Sequence, residues 1–512
     1  MISYPYHTIF ESVERYAFET PEKQALIYEN SVITYDMLCS RARTVALRFL
    51  KLGVKKGDRI VYAMRGIPEF FYVYLASSMI GAVCAGIAFR NKPEAVAAIF
   101  HELMPKVAVC EDSLYTIYHS VADETSTVLI PSSELLPAMP DREMLPLLEQ
   151  ARQQIQLDDP FLILYTSGTT KKPKGAVLTH RNALASACMQ DTHLFQPTGF
   201  TSEDVIQHCF PVNHVSGFVE CGFAPLYGGG SLILQPDFHP QRVLENTEKH
   251  RATVLCGVPA MWTKIIEALE GHSYDLSSVR VGITGASVLS RVLAEKMEKI
   301  CPVLENPLGM TETSGFCSYP SANGEANQHE TVGRVMPELQ HKLIDAQGLP
   351  VKPGEIGQLC YKGDSVISGY VSQSLPVDSD GYFLAGDMAY EDGKGHLHLC
   401  GRNDDMFTVG GYNVFPQEIE DVLLRYPGVT GAAVLPIPHH SMGNICRAYL
   451  TVQHDVDLQR LEQFAADEMI YYKVPKNYVI LDSFPVNALG KIAKTVLAGQ
   501  IKEEFKDNGE QK

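Results

Sequence analysis

Tryptophan occurs once in 512 residues, no two cysteines form a CxxC pair, and 43 basic residues stand against 60 acidic ones. Each shortage excludes something. The closest two of the twelve cysteines, Cys209 and Cys221, lie too far apart for a zinc knuckle, so scattered reduced thiols in a cytoplasmic protein are expected. A formal charge of -17 argues against nucleic-acid or anionic-membrane partners, and any anionic ligand must be held by a local cluster of cations. Residues 1–20 lack a basic start followed by an apolar block, so no secretory signal is expected. No internal repeat is visible.

One apolar run is long enough to span a bilayer: residues 70–89 carry no charge. Gly81, Gly86, the Ser77-Ser78 pair and the change to Val83-Cys84-Ala85 instead predict a buried helix that breaks near Gly81 and runs into a buried strand. No tryptophan belt flanks it, and no integral membrane segment is expected.

With 45% hydrophobic residues, the chain has ample material for large cores. Residues 1–130 alternate strand and helix patterns, as in Ala25-Leu26-Ile27-Tyr28, a helix opened by Thr34-Tyr35 and running through Leu50, and Arg59-Ile60-Val61-Tyr62. A proline-rich connection with one short helix follows over 131–160. Strand signals recur at 230–234, 252–255 and 279–283; short strands and Gly/Pro/Asp turns fill 330–399, and a smaller α/β pattern runs from Arg402 to Leu497. The charged tail 502–512 is expected to be disordered.

The organising stretch is Tyr165-Thr166-Ser167-Gly168-Thr169-Thr170-Lys171-Lys172-Pro173-Lys174-Gly175, behind the apolar strand Phe161-Leu162-Ile163-Leu164. Hydroxyls, exposed N–H groups, a glycine that admits close approach and three lysines make a cradle for polyphosphate. It is not a Walker A loop, because Pro173 stands where a glycine would be required. Such residues also form ordinary solvated loops, so the reading depends on distant stretches. Thr179-His180-Arg181-Asn182 caps the next helix, and its N-terminus is expected to add a favourable dipole near the loop.

Those distant stretches are Gly309-Met310-Thr311-Glu312, Gly354-Glu355-Ile356-Gly357, Gly369-Tyr370, Asp380-Gly381-Tyr382 with Gly386-Asp387, Gly401-Arg402, Gly410-Gly411-Tyr412-Asn413-Val414 with Glu418-Ile419-Glu420, and Gly490-Lys491-Ile492. As an ordered set they resemble the adenylate-forming superfamily of acyl-CoA synthetases, amino-acid adenylation domains and beetle luciferases, from about Thr34 to Lys494. The resemblance is strongest to acyl-CoA synthetases of fatty or aryl acids.

That resemblance implies an α/β fold: a large N-terminal domain (1–401) of two α/β subdomains and a small β subdomain, a hinge (402–404), and a small mobile α+β C-terminal domain (405–512) carrying Lys491. It implies a ligase that joins a carboxylate to the α-phosphate of MgATP, releases pyrophosphate, and passes the acyl group to coenzyme A. Thr166, Ser167, Gly168, Thr169, Thr170 and Lys174 would hold phosphates. Gly285, Ala286, Ser287, Asn306, Leu308 and Gly309 would line the nucleotide, and Asp387 and Arg402 would take the ribose. Glu312 and Thr170 would hold Mg²⁺, with Thr311 on phosphate oxygen, and Lys491 would bridge the carboxylate and the α-phosphate. The hinge falls on Asp404, and Gly410-Gly411 would line the pantetheine channel.

The acyl pocket implied at 214–218, 257–261, 282–287 and 308–314 is mostly apolar or small, which suits a hydrophobic acid. His214 stands where amino-acid-activating relatives keep an ammonium-binding aspartate. It is either a gate on the carboxylate or a satisfied polar residue of its loop.

Three positions depart from the pattern. Lys171 replaces a glycine, Leu308 an aromatic that stacks on adenine, and Ala385 a threonine. Two other functions are compatible with the residues: loading a free acyl carrier protein, since the chain ends about twenty residues after Lys491, or a non-catalytic binding protein of the same fold.

Overall fold

The computed structural model describes residues 4–166, 174–195, 199–285, 289, 291–320, 331–453, 456–486 and 492–507. Among them two seven-stranded sheets form a large N-terminal body. The first sheet runs Val303–Glu305, Val281–Ile283, Val254–Cys256, Val205–His208, Ser231–Leu234, Gln24–Tyr28 and Ser31–Thr34, all parallel except the last strand. The second runs Gly369–Tyr370, Lys174–Thr179, Pro160–Thr166, Val83–Gly86, Arg59–Ala63, Val107–Cys110 and Val128–Pro131, parallel from Pro160–Thr166 onward.

Period-two alternation sorts each strand between layers. Ile60 and Tyr62 join the central core, whereas Val61 and Ala63 face the helices Pro93–Leu103 and Tyr115–Glu124 on the outer side. Likewise Leu232 and Leu234 point inward, while Ile233 packs with helices Pro240–His250 and Pro259–Leu269. Between the sheets lie helices Ile9–Glu19, Tyr35–Lys51, Pro68–Ile80 and His180–His193. Strands buried on both faces need continuous apolar sequence, and these have it.

The uncharged run at 70–89 becomes the helix Pro68–Ile80, a left-handed Gly81 at φ 70, and the strand Val83–Gly86. Pro68 opens the helix where its missing N–H costs nothing, and Gly81 closes it at an angle that a Cβ would disfavour. The helix is apolar all round because it is buried all round. Phe70 and Tyr74 meet Phe218 with ring centroids 5.3 and 4.8 Å apart, and burying each such ring contributes about 1.5–3 kcal/mol. Among the described residues no helix is long and apolar enough to cross a membrane.

In both large sheets the order reverses at one strand. After Val205–His208 the chain goes to Ser231–Leu234 on one side and Val254–Cys256 on the other; after Arg59–Ala63 it goes to Val83–Gly86 and Val107–Cys110. Ligand crevices open at the carboxyl ends of strands flanking such reversals.

A four-stranded antiparallel sheet, Gln340–Ile344, Gly357–Lys362, Phe383–Glu391 and Leu397–Arg402, forms the small β subdomain. The smaller C-terminal domain has a hairpin, Phe407–Val409 with Tyr412–Val414, and a sheet of Val429–His439, Gly443–Val452 and Asn477–Ile480. The expectation of disorder from 502 needs correction. Helix Lys494–Asp507 continues into that stretch, because Leu497 and Ile501 seat it against Ala433, Leu435 and Tyr449 of the sheet.

Candidate active site

The strands on either side of the phosphate-loop motif form a hairpin. Strands Pro160–Thr166 and Lys174–Thr179 pair antiparallel with Thr166 opposite Lys174, and Ser167, Gly168, Thr169, Thr170 and Lys171 lie outside the described residues. The helix His180–His193 does not stand behind that motif. Thr179 pairs with Pro160 at the opposite end of the hairpin, so a strand of six residues, about 17 Å, separates helix and loop. The expected dipole contribution is therefore withdrawn, since it fades within about one helical turn.

The cap serves another purpose. Thr179 and Asn182 form a reciprocal capping box, and Asn182 Nδ2 also donates to the carbonyls of Asp364 (2.8 Å) and Val366 (3.1 Å). That fixes the segment entering Gly369–Tyr370, the strand that adds to the hairpin with Tyr370 opposite Ala176. Tyr370 belongs to the Gly369-Tyr370 motif, but its contacts were not revealed by the sequence. Its hydroxyl donates to Glu312 Oε1 at 2.8 Å, and Lys174 Nζ lies 5.6 Å from its ring centroid. Burial first, then the Glu312 charge, holds the Tyr370 hydroxyl above its usual range, while Arg402 pulls it back. A neutral, donating phenol between a lysine and a carboxylate is the result.

Glu312 sits in the short turn Thr311–Thr313, half-buried beside the buried Thr311, and its carbonyl accepts from Ile367 N at 3.0 Å. Asp387 and Arg402 are register partners on adjacent antiparallel strands, with Arg402 Nη1 3.3 Å from Asp387 Oδ1. Gly386 makes that approach possible: it has φ 80, and a Cβ there would lie 3.0 Å from Arg402 Nη2.

Gly285 and Asn306 follow the neighbouring parallel strands Val281–Ile283 and Val303–Glu305, tied by Thr284 N donating to the Glu305 carbonyl at 2.9 Å. Ala286 and Ser287 lie outside the described residues. The single tryptophan, fully buried Trp262, supports this edge by donating from Nε1 to the Ile283 carbonyl at 3.0 Å. Leu308 is half-buried against the central core, its N–H donating to Ser318 Oγ at 2.7 Å. Gly309 opens the strand leading to Glu312. His214 is half-buried on the segment after Val205–His208, where its carbonyl accepts from Phe218 N at 2.8 Å. Tyr62 anchors this segment by donating to the Val212 carbonyl at 2.8 Å, which places it on the carboxyl end of the second sheet.

Contacts thus join Lys174, Tyr370 and Glu312 in one line, with Arg402 and Asp387 within electrostatic reach. Asp404, Gly410 and Gly411 are exposed, on the turn Asn403–Asp405 and the adjoining hairpin tip, and no described contact joins them to Glu312. Gly410 (φ 58) and Gly411 (φ 88) supply the left-handed pair that a two-residue hairpin requires. Lys491 lies outside the described residues, while Val486 and Ile492 on either side of its segment pair with each other. No group of three or more His, Cys, Asp or Glu among the described residues forms a metal cage. All twelve cysteines are free and eleven are buried; burial pushes Cys84, for example, up to about 12.

Comparison with known proteins finds similarity along nearly the whole chain. Residues 13–371 match the family described as AMP-binding enzyme, and 418–491 match the AMP-binding enzyme C-terminal domain. A feruloyl-CoA synthase from Amycolatopsis is 29% identical over 497 residues, covering 96% of this chain and 98% of that protein. An indoleacetate–CoA ligase from Aromatoleum aromaticum is 27% identical, covering 94% and 96%. ATP-bound MatB from Rhodopseudomonas palustris superposes with a TM-score of 0.85 at 26% identity, covering 97% and 99%. The chain belongs to the AMP-binding enzyme family.

Proposed function

We propose that this AMP-binding enzyme is an ATP-dependent acid–thiol ligase: it activates a hydrophobic carboxylic acid as acyl-AMP with release of pyrophosphate and transfers the acyl group to coenzyme A. The observation that carries the reading is the line from Lys174 through Tyr370 to Glu312, with the Asp387–Arg402 pair beside it, in a chain matched over nearly its full length by acid–CoA ligases.

The first step brings an anionic carboxylate against anionic phosphates, so it needs cations and donors aimed at charge that develops in the transition state. Lys174, with Thr166, Ser167, Gly168, Thr169 and Thr170, holds the outer phosphates. Asp387 accepts from the two ribose hydroxyls, and Arg402, ion-paired to it, keeps the carboxylate oriented. Gly285, Ala286, Ser287, Asn306, Leu308 and Gly309 line the base. Lys491 brings its ammonium between the two anions.

A Mg²⁺ ion fits this donor chemistry: Glu312 would offer a hard carboxylate whose Oε1 is oriented by Tyr370, and Thr170 would offer a hydroxyl. When bound it neutralises phosphate charge as a Lewis acid. The protein's own part is to keep Glu312 aimed, through the hydrogen bond from Tyr370.

For the second step a thiol must enter where Lys491 stood. We assign residues 1–401 to the nucleotide- and acid-binding domain, 402–404 with Asp404 to the hinge, and 405–512 to the mobile domain, with Gly410 and Gly411 admitting pantetheine. The aromatic acids named in the matched ligases, feruloyl and indoleacetate, support an aryl or arylalkyl acid. Twelve free thiols support a reducing cytoplasmic location.

Pyrophosphate release measured across a panel of acids, with coenzyme A, with a free phosphopantetheinylated carrier protein, and with no thiol, tests this directly. Acid-dependent release with acyl-CoA as product is expected. Acyl transfer to the carrier alone would replace the acceptor, and ATP binding without any release would replace the enzyme with a binding protein.

A further inference from the structure

The chain between His214 and the helix Ala224–Tyr227 is wound as a π-helix, Ser216–Phe223. Its wider turn is sterically tight: a Cβ on Gly222 would lie 2.5 Å from the Gly217 carbonyl, and His208 Nε2 also donates to that carbonyl at 2.7 Å. Single-turn π segments change which side chains face a given direction and recur at functional sites. Here the change concerns Glu220.

Glu220 lies against the hairpin that leads to Glu312. A Cβ on Gly309 would sit 2.8 Å from Glu220 Oε1, and one on Gly315 would sit 3.1 Å from Glu220 Cγ, 2.9 Å from Ser186 Oγ and 3.6 Å from Gln190 Nε2. Two glycines three residues either side of Glu312 therefore leave room for a half-buried carboxylate and two polar neighbours. This region adjoins the wall proposed for the acid, which is mostly apolar or small. A carboxylate costs free energy in such a wall unless donors reach it. Its four lone-pair positions accommodate a protein donor and a ligand donor together.

We infer that Glu220 is a specificity-determining residue: it selects carboxylic acids that carry a hydrogen-bond donor, a hydroxyl or an ammonium, on the part remote from the reacting carboxylate. The inference rests on the acid-activating reading above and narrows it. Position 214, where an α-ammonium would be met, is a histidine, and the carboxylate stands six residues further on, across Gly309, so an α-amino acid is not the substrate.

The test uses isosteric pairs in two frames, 4-hydroxycinnamate against 4-methylcinnamate and 8-aminooctanoate against nonanoate, with the full-length enzyme, Glu220→Gln and Glu220→Leu. Pyrophosphate release is followed, and binding of each acid without ATP is titrated calorimetrically. The unmodified enzyme is expected to favour the donor-bearing acid by at least about tenfold in kcat/KM in the frame it accepts, because a site built to pair a donor rejects an analogue lacking it. Glu220→Leu should abolish or reverse that preference while turning over the methyl or alkyl acid. Glu220→Gln, which keeps volume and an acceptor, should retain preference for hydroxyl and lose it for ammonium.

Equal kcat/KM within each pair, or a preference that survives in Glu220→Leu, overturns the inference and leaves the ligase reading standing. Donor-dependent binding that is lost in Glu220→Leu, without pyrophosphate release from any acid, does the opposite.

Discussion

In the large body the charged groups of the site are placed by strand register and buried packing. Asp387 faces Arg402 because their strands pair, and Tyr370 reaches Glu312 because its strand adds to the Lys174 hairpin. The C-terminal domain works differently. Its polar groups rest on ion pairs, Lys494 to Glu420 at 2.6 Å and Lys473 to Glu418, and on the exposed turn Gly410-Gly411. Its small cores lie on the two faces of a three-stranded sheet, whereas the body has one continuous core between two sheets. Register fixes a position to a fraction of an ångström, while these partly buried ion pairs tie the helix Pro416–Leu424 to Lys473 and to the last helix within the same domain.

The sharpest way to break this contrast is Lys491→Ala. Pyrophosphate release is expected to fall by at least about 100-fold, the cost of removing one preorganised charge from a transition state. Thioester formation from supplied acyl-AMP should persist, and equal loss in both half-reactions would remove the division of labour. Tyr370→Phe asks whether the register-built line matters. It deletes one hydrogen bond to a charged group, about 1.5–3 kcal/mol, so a loss of about 10- to 100-fold in kcat/KM for ATP and a raised Mg²⁺ requirement are expected. The ring beneath Lys174 remains, and unchanged kinetics would reduce Tyr370 to packing.

Asp421 sharpens the comparison on the C-terminal side. Burial, followed by the charges of Glu420 and Glu418, pushes its carboxyl up to about 7, and its Oδ1 has no hydrogen-bond partner among the described residues. The folded state then binds a proton that the unfolded state has released near pH 4, so stability of this domain falls as pH rises from about 4 to 7 and levels off above. Asp421→Asn should flatten that dependence and stabilise the domain by about 1–2 kcal/mol at pH 8 once solvent screening is counted, read as unfolding midpoints across pH. A slope unchanged in Asp421→Asn would place the dependence elsewhere. The smallest effect is expected from Leu308→Tyr. An aromatic ring there should lower KM for ATP by the equivalent of about 0.5–1.5 kcal/mol, and an unchanged or higher KM would exclude adenine stacking at this position.

Local grammar was legible wherever neighbours in sequence decide the outcome. The break at Gly81, the helix opened by Thr34 and the cap at Thr179 all follow from residues within a few positions. What could not be read was direction in space. The helix after Thr179 was expected near the phosphate loop, but an intervening strand carries it to the far end of the hairpin. The Tyr370 contact spans 58 residues to Glu312, and Glu220, on the π-helical stretch, lies against the distant Gly309. Just before the charged tail, two apolar residues dock the last helix, Leu497 and Ile501, and the helix continues from them to Asp507.

The pairing of Phe70 and Tyr74 with Phe218 also has a consequence for how the protein is made. The ring that covers this helix is encoded about 150 residues downstream, so at ribosomal rates of about 5–20 residues per second the helix waits roughly 7–30 seconds for its cover. During that interval the nascent chain presents a helix with no polar face, and it is then, rather than after release, that chaperones and aggregation compete for it.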